Sequence, residues 1–483
     1  MENKGQIVLS NFIWRFFERC GAQLVAFIVS VVLARLLEPG VYGTIALVTV
    51  FTTILQVFID SGFGNALIQK KNTDDLDFST VFYFNIIVCC IIYFIMFLIA
   101  PYIADFYRNE ELIPIIRVLS FTLIIAGVKN IQQAYVSKTM QFKKFFFSTL
   151  GGTIVAAFVG ISMAYCGYGV WALVAQQIVN ASIDTIVLWV TVKWRPKLIF
   201  SLNRLKLLFA YGWKLLISSL IDRTYTELRS LVIGKYYSST DLAYYNRGNQ
   251  LPNIFVTNIN NSIDSVLFPA MSSVQDNASV LKGMVRRSIK ISTYIIAPIM
   301  MGLLFAAEPI IRLLLTEKWI GCVPYLRIFC FSFMFYPIHT ANLNAIKALG
   351  RSDIFLKLEI AKKTVGVISL LVTFRVSVMA MAYSLLVTSV LDQVINCWPN
   401  KKLLGYGYME QLKDIIPNIL LSLVMGGCVY CVQFIGLSDI FTLSIQIILG
   451  ISVYIIMSVA LKLDTFEYLV SIVKQVMSKS KGV

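Results

Sequence analysis

The chain has 483 residues, 58% of them hydrophobic and 14% charged, with a mean hydropathy of +0.75. A soluble domain carries about 25% charged residues, so the composition excludes a soluble globular protein and points to the membrane class. The net charge of +16 gathers at the ends of apolar runs, and that placement leaves no need for a nucleic-acid partner.

A bilayer core about 30 Å thick needs about 20 apolar residues per helix. Fourteen such spans are predicted, at 11–37, 41–69, 78–104, 112–137, 145–166, 169–192, 207–237, 241–274, 284–315, 322–348, 354–374, 376–398, 413–436 and 440–462. No gap between them is wide enough for a soluble domain. The opening MENKGQIVLS lacks the order of a cleaved signal peptide, so the first span is expected to stay in the mature protein. Basic residues fill every second loop: Lys70, Lys71, Lys138, Lys143, Lys144, Lys193, Arg195, Lys197, Arg204, Lys206, Lys282, Arg286, Arg287, Lys347, Arg351, Lys401 and Lys402. The intervening loops hold little beyond Arg108, Lys318 and Arg375. The positive-inside rule then predicts a multi-pass plasma-membrane protein with both termini cytoplasmic. The nine cysteines show no framework; Cys428 and Cys431 form a C-x-x-C inside an apolar run, where free Cys packs as a small hydrophobe. No metal site and no cofactor are expected.

The two halves repeat. Trp14-Arg15 opens one long span and Trp213-Lys214 another; Arg35 and Lys235 close them; Ile59-Asp60-Ser61 recurs as Ile263-Asp264-Ser265. The common order and near-constant offset predict an all-α polytopic protein of two six-helix lobes related by a parallel repeat, plus two C-terminal helices. The lobes are placed at 1–206, which includes a basic linker "KWRPKLIFSLNRLK", and at 207–400; 401–483 holds spans 13 and 14 and a cytoplasmic tail. The linker mixes basic and apolar residues, as suits a segment lying on a membrane surface. The last two spans look nearly free of buried charge, so they are expected to serve as packing or as lipid-facing surface.

Polar residues inside the spans fall on stripes. Span 2 carries Thr49, Thr53, Gln56, Asp60 and Gly64 at helical spacing, and span 8 carries Asn246, Gln250, Asn253, Thr257, Asn261 and Asp264. Span 7 carries Lys214, Ser218, Asp222, Tyr225 and Arg229 on one face, with Arg223 and Glu227 beside it; span 1 carries Arg15, Glu18, Arg19 and Gln23. A central Asp facing lipid costs roughly 2.5–3.5 kcal/mol, so these faces should meet protein or water. Two readings of the charges stand. Arg223 with Glu227, and Glu18 with a neighbouring Arg, have the spacing of structural ion pairs. The full set of four polar-faced helices favours a water-filled cavity between the halves, because a purely structural bundle uses small residues and isolated hydroxyls. Pro252, Pro269, Pro298, Pro309 and Pro337 are candidate kinks.

Counting Arg247, Lys129 and Lys214 with Arg15, Arg19, Arg223 and Arg229, basic residues outnumber the acids Glu18, Asp60, Asp222, Glu227 and Asp264, which favours an anion such as phosphate, held in a bidentate fork by arginine. The amide stripe suits a hydroxyl-rich ligand. Motifs for nucleotide binding, zinc proteolysis or a serine nucleophile are missing, so an enzyme is not expected.

The stretches "ARLLEPGVYGTIALVTVFTTILQVFIDSGFGNALIQKK", "LVIGKYYSSTDLAYYNRGNQLPN" and "SIDSVLFPAMSSVQ" closely resemble the Wzx-type oligosaccharide flippases of the multidrug/oligosaccharidyl-lipid/polysaccharide exporter superfamily. The resemblance covers about residues 5–400. It implies a V-shaped bundle that moves an undecaprenyl-diphosphate-linked oligosaccharide across the plasma membrane by alternating access, for lipopolysaccharide, capsule or exopolysaccharide synthesis. Carried onto this chain, it makes Arg15, Arg19, Arg223 and Arg229 candidate diphosphate partners. Gln56, Asn246, Gln250, Asn253, Thr257 and Asn261 become candidate cavity lining, and Asp60, Glu227 and Asp264 candidate ion-coupling acids. Partners implied are the lipid-linked oligosaccharide, membrane lipids, and a polysaccharide polymerase with its chain-length regulator. The competing expectation is a cation/drug antiporter of the same superfamily, which would want an acidic, aromatic cavity.

Overall fold

The computed structural model describes residues 21–60, 63–70 and 73–480. Among the described residues every regular element is a helix. In chain order these are α1 (Gly21–Leu36), α2 (Pro39–Asp60), α3 (Phe63–Gln69), α4 (Asp75–Tyr107), α5 (Leu112–Lys138), α6 (Lys143–Tyr165), α7 (Val170–Thr191) and α8 (Leu202–Tyr236). They continue as α9 (Ser239–Ser272), α10 (Ala278–Phe305), α11 (Ala307–Leu315), a 3-10 turn (Glu317–Cys322), α12 (Val323–Phe333), α13 (Tyr336–Ala348), α14 (Ser352–Thr373), α15 (Val378–Leu404), α16 (Tyr408–Cys431), a second 3-10 turn (Val432–Ile435), α17 (Asp439–Ala460) and α18 (Asp464–Ser480). Ten stretches of the described chain are long and apolar enough to cross a membrane. Helices α8 (35 residues), α9 (34 residues) and α14 (22 residues) have the length but not the apolarity. That failure has a cause: α8 and α9 carry the charged and amide residues noted above, and α14 carries Asp353, Lys357, Glu359, Lys362 and Lys363.

Prolines explain two breaks that the span pattern ran through. Proline cannot donate its backbone nitrogen, and its ring clashes with the carbonyl four residues back. Four residues before Pro309 is Phe305, the last residue of α10, and the chain restarts as α11. Four before Pro337 is Phe333, the last residue of α12, and Pro337 then opens α13. Pro252, Pro269 and Pro298 stay inside continuous helices.

The helices form two compact units with the boundary after Ala243. In the first, small residues let helices approach closely. A methyl at Gly152 would lie 2.9 Å from the Asn180 side chain, and one at Gly160 would lie 3.0 Å from Gln176, so α6 and α7 touch nearly backbone to backbone. Gly127 of α5 likewise abuts Cys89 of α4. One aromatic core gathers Phe78 and Phe82 of α4, Tyr135 of α5, and Trp189 and Trp194. Helix α8 opens the second sequence repeat, yet it packs with this first unit, where Gly234 leaves room for Leu47 of α2 and Tyr107 of α4.

In the second unit α10 packs along α16. Asp414 of α16 has a side chain only 4% exposed and takes Arg286 in a two-pronged bond, 2.7 Å at each prong. Buried charge is therefore present in the C-terminal segment, contrary to its apolar appearance in sequence. Beside it runs a fully buried amide network. Asn342 of α13 and Gln411 of α16 exchange bonds of 2.8 and 2.9 Å, and Asn400 of α15 donates to Asn342 at 2.6 Å. Buried amides survive in an apolar bundle only when they satisfy one another, and this set ties span 13 to the helices before it.

Candidate functional site

Helix α8 starts from Ser201, whose hydroxyl accepts the Arg204 amide as an N-cap. Its polar residues follow the helical period. Lys214, Ser218, Asp222 and Arg223 are exposed, and Tyr225, Glu227 and Arg229 half-buried. Arg223 reaches Glu227 at 3.5 Å, one turn on, so the ion-pair spacing seen in sequence is realised as a contact. The Arg223 side chain keeps 44% exposure and Glu227 18%, which leaves the guanidinium open to a further anionic partner. Arg15 and Arg19 lie outside the described residues.

Helix α2 carries the matching stripe, with Thr49, Thr53 and Gln56 half-buried and Asp60 exposed at its end. The Gln56 amide donates to Asp60 at 3.2 Å. Asn130 of α5, only 8% exposed, donates to the same carboxylate oxygen at 3.4 Å. Next to Asn130 in sequence, Lys129 pairs with Asp184 of α7 at 3.1 Å. Two carboxylates and one ammonium thus stand close together in an apolar bundle.

Helix α9 presents its amides in the second unit. Gln250, Asn253 and Asn261 are exposed and Asn246, Thr257 and Asp264 half-buried. Thr257 bonds back to the Asn253 carbonyl at 2.6 Å, and Arg247 donates to Gln250 at 2.6 Å while lying 5.0 Å over the Trp319 ring. Gly248 permits this close approach, since a side chain there would meet Tyr325 at 2.7 Å. Asp264 accepts from Asn344 of α13.

The repeat therefore extends into three dimensions. In each half the aspartate of the Ile-Asp-Ser triplet bonds to an asparagine two spans later, Asp60 to Asn130 and Asp264 to Asn344. Sequence reasoning found both acids and missed both amides, along with Asp184. The signal available was an asparagine in the fourth span of each half, which gains meaning only when the facing helix is known. Arg229 is not brought to Arg223: the two are six residues apart and fall on different faces of α8.

Residues 32–324, more than half of the chain, match the family model described as polysaccharide biosynthesis protein. The teichuronic acid biosynthesis protein TuaB of Bacillus subtilis (strain 168) is 25% identical over 411 residues, covering 83% of each chain. The lipopolysaccharide biosynthesis protein WzxC of Escherichia coli (strain K12) is 23% identical over 415 residues, covering 82% of each. Among solved structures, the lipid II flippase MurJ in its inward closed conformation superposes with a TM-score of 0.76 at 15% identity, over 94% of this chain and 99% of that one. An inward-facing multidrug resistance MATE transporter follows at 0.62 and 14%, over 79% and 94%. At such identities the structures establish a shared fold. The family match does more: this multi-pass membrane chain belongs to the polysaccharide biosynthesis protein family.

Proposed function

We propose that the protein is a flippase that carries a lipid-linked oligosaccharide, joined to its polyprenyl carrier through a diphosphate, across the plasma membrane for surface polysaccharide synthesis. The observation that carries this reading is the pair of long polar helices, α8 and α9. Neither is apolar enough to meet lipid all round, and a charge exposed to hydrocarbon would cost roughly 2.5–3.5 kcal/mol. A path for a hydrated, anionic head group gives those faces their environment. Lipid tails can stay in the bilayer while the head group moves.

Each polar face has its task in this reading. Arg223, with Arg15 and Arg19, neutralises the diphosphate, and Arg229, on a different face of α8, stays outside that set. The α9 amides at Asn246, Gln250, Asn253 and Asn261, with Thr257 and with Gln56 of α2, exchange hydrogen bonds with sugar hydroxyls. Asp60, Glu227 and Asp264 couple the cycle to an ion gradient. No bond is made or broken, so the work is binding and alternating access rather than catalysis. Both termini face the cytoplasm, and a polysaccharide polymerase with its chain-length regulator takes up the delivered units on the opposite side of the membrane.

The test uses cells that lack this protein and retain the rest of its glycan pathway. Complete diphosphate-linked units accumulate and surface polymer is lost, and the wild-type gene restores both. Normal polymer with unchanged intermediates would remove the flippase reading and send the question to cationic drug efflux.

A further inference from the structure

The segment joining α7 to α8, with the first two turns of α8, forms a strap that is bound down along one side. Val192 and Trp194 are buried against Phe78 and Phe82 of α4. The Trp194 indole donates to Asp75 at 3.2 Å, and Gln132 donates to the Trp194 carbonyl at 3.2 Å. Backbone amides of Lys197 and Ser201 donate to the buried hydroxyls of Ser79 and Thr80 at 3.0 and 3.1 Å. Three ion pairs finish the attachment, Lys197 to Asp75 at 2.6 Å and Arg204 to Asp74 at 3.5 Å and to Asp77 at 3.6 Å. A strap held at so many points cannot turn its outer residues inward.

The outer side has a composition of its own. Leu198 is 93% exposed, Leu202 63% and Leu207 71%, with Phe200 at 47%. Exposed apolar surface costs about 25 cal/mol per Å² in water, and a strap of fixed shape has no way to hide it. Among the described residues Lys193 and Lys206, both exposed, make no ion pair. Arg195 differs, because its guanidinium is spent on the carbonyls of Trp194 and Trp189 and on the Trp189 ring. Apolar side chains flanked by ammonium groups match the boundary of an anionic phospholipid leaflet, with chains below and phosphates level with the lysines.

We propose that the strap at residues 193–209 is an anionic-phospholipid contact, with Leu198, Phe200, Leu202 and Leu207 seated among the acyl chains and Lys193 and Lys206 on lipid phosphates. Through Ser201, the N-cap of α8, this contact fixes where that polar helix begins relative to the membrane surface. The inference stands apart from the transported substrate and from which side of the membrane the strap faces.

Hydrogen exchange of the full-length protein in lipid nanodiscs tests it. Amides of residues 198–203 should exchange at least about threefold more slowly in phosphatidylglycerol/phosphatidylcholine discs than in phosphatidylcholine alone, and high salt should narrow the gap. The K193Q/K206Q double variant should abolish the difference while exchange at 75–80 stays as in wild type. Leu198→Ser, a single exposed change, should speed strap exchange in the anionic discs. Equal exchange in both lipids for the wild type, or a lipid difference that survives in K193Q/K206Q, would overturn the proposal.

Discussion

Asp414 shows how a single residue organises a helix interface. Its carboxylate accepts both prongs of Arg286, the Tyr406 hydroxyl at 2.8 Å and an ion pair from Lys290 at 3.3 Å. Charge-assisted bonds of this length are the strong ones. Replacing Asp414 by Asn keeps the shape and leaves two cations short of a partner, so it should cost about 2 kcal/mol. A thermal melt of the purified protein should show the midpoint falling, and an unchanged midpoint would mean that solvent already compensates the pair. Gly43 is a second such position. A Cβ there would overlap the Ser239 carbonyl, and backbone cannot step aside as a side-chain tip can. Gly43→Ala should therefore destabilise by about 1–3 kcal/mol, read in the same melt. The sequence shows Gly43 only as part of "EPGVYG"; its need for no side chain arises from a turn nearly two hundred residues on.

At the scale of an element, the start of α4 is an electrostatic device. Asp74 caps the helix by accepting the Asp77 amide at 2.9 Å, and Asp77 accepts the Asp74 amide at 3.3 Å in return, while Lys70 lies 2.6 Å from Asp77. The bond from the Asp77 amide, helped by Arg204, holds the Asp74 carboxyl below the usual range. A carboxyl depressed in the fold contributes stability above its ordinary value and loses it as pH falls through the folded value. Asp74 is well exposed, so the contribution is small and salt-sensitive. Amides at 77–80 should exchange faster as pH drops from about 5 to about 3, after correction for intrinsic rates. Asp74→Asn keeps the cap acceptor and should flatten that dependence. The capping box could be read from "DDLD" alone, because it is local. Its ion partner Arg204 could not, nor could Lys197 on the neighbouring Asp75, because both arrive from a strap more than a hundred residues away.

For the whole molecule, the paired bonds Asp60–Asn130 and Asp264–Asn344 suggest that each half keeps a carboxylate ready under the control of a buried amide. If both serve the transport cycle, Asp60→Asn and Asp264→Asn should each lower polymer export on the order of tenfold, a change of about 1.4 kcal/mol in the limiting step. Protein level in the membrane should hold steady in both variants. Export measured by complementation decides the matter, and wild-type export from the double variant would make both acids structural. The helical, membrane-spanning architecture and the polar faces of α2, α8 and α9 were legible in the amino-acid sequence, because apolar run length and a 3.6-residue period are local properties of the chain. So was the repeat, as an ordered recurrence. Tertiary structure alone decided which residues the polar faces meet: Asn130 and Asn344 beside the acids, Asp184 on Lys129, and Asp414 under Arg286. It also decided that α8 packs with the first unit, and that α10 stops where Pro309 would strip a carbonyl of its partner. Periodicity tells which side of a helix is polar, but only close packing of distant segments sets what lies opposite, and hydrogen bonds and ion pairs depend on that last ångström of placement.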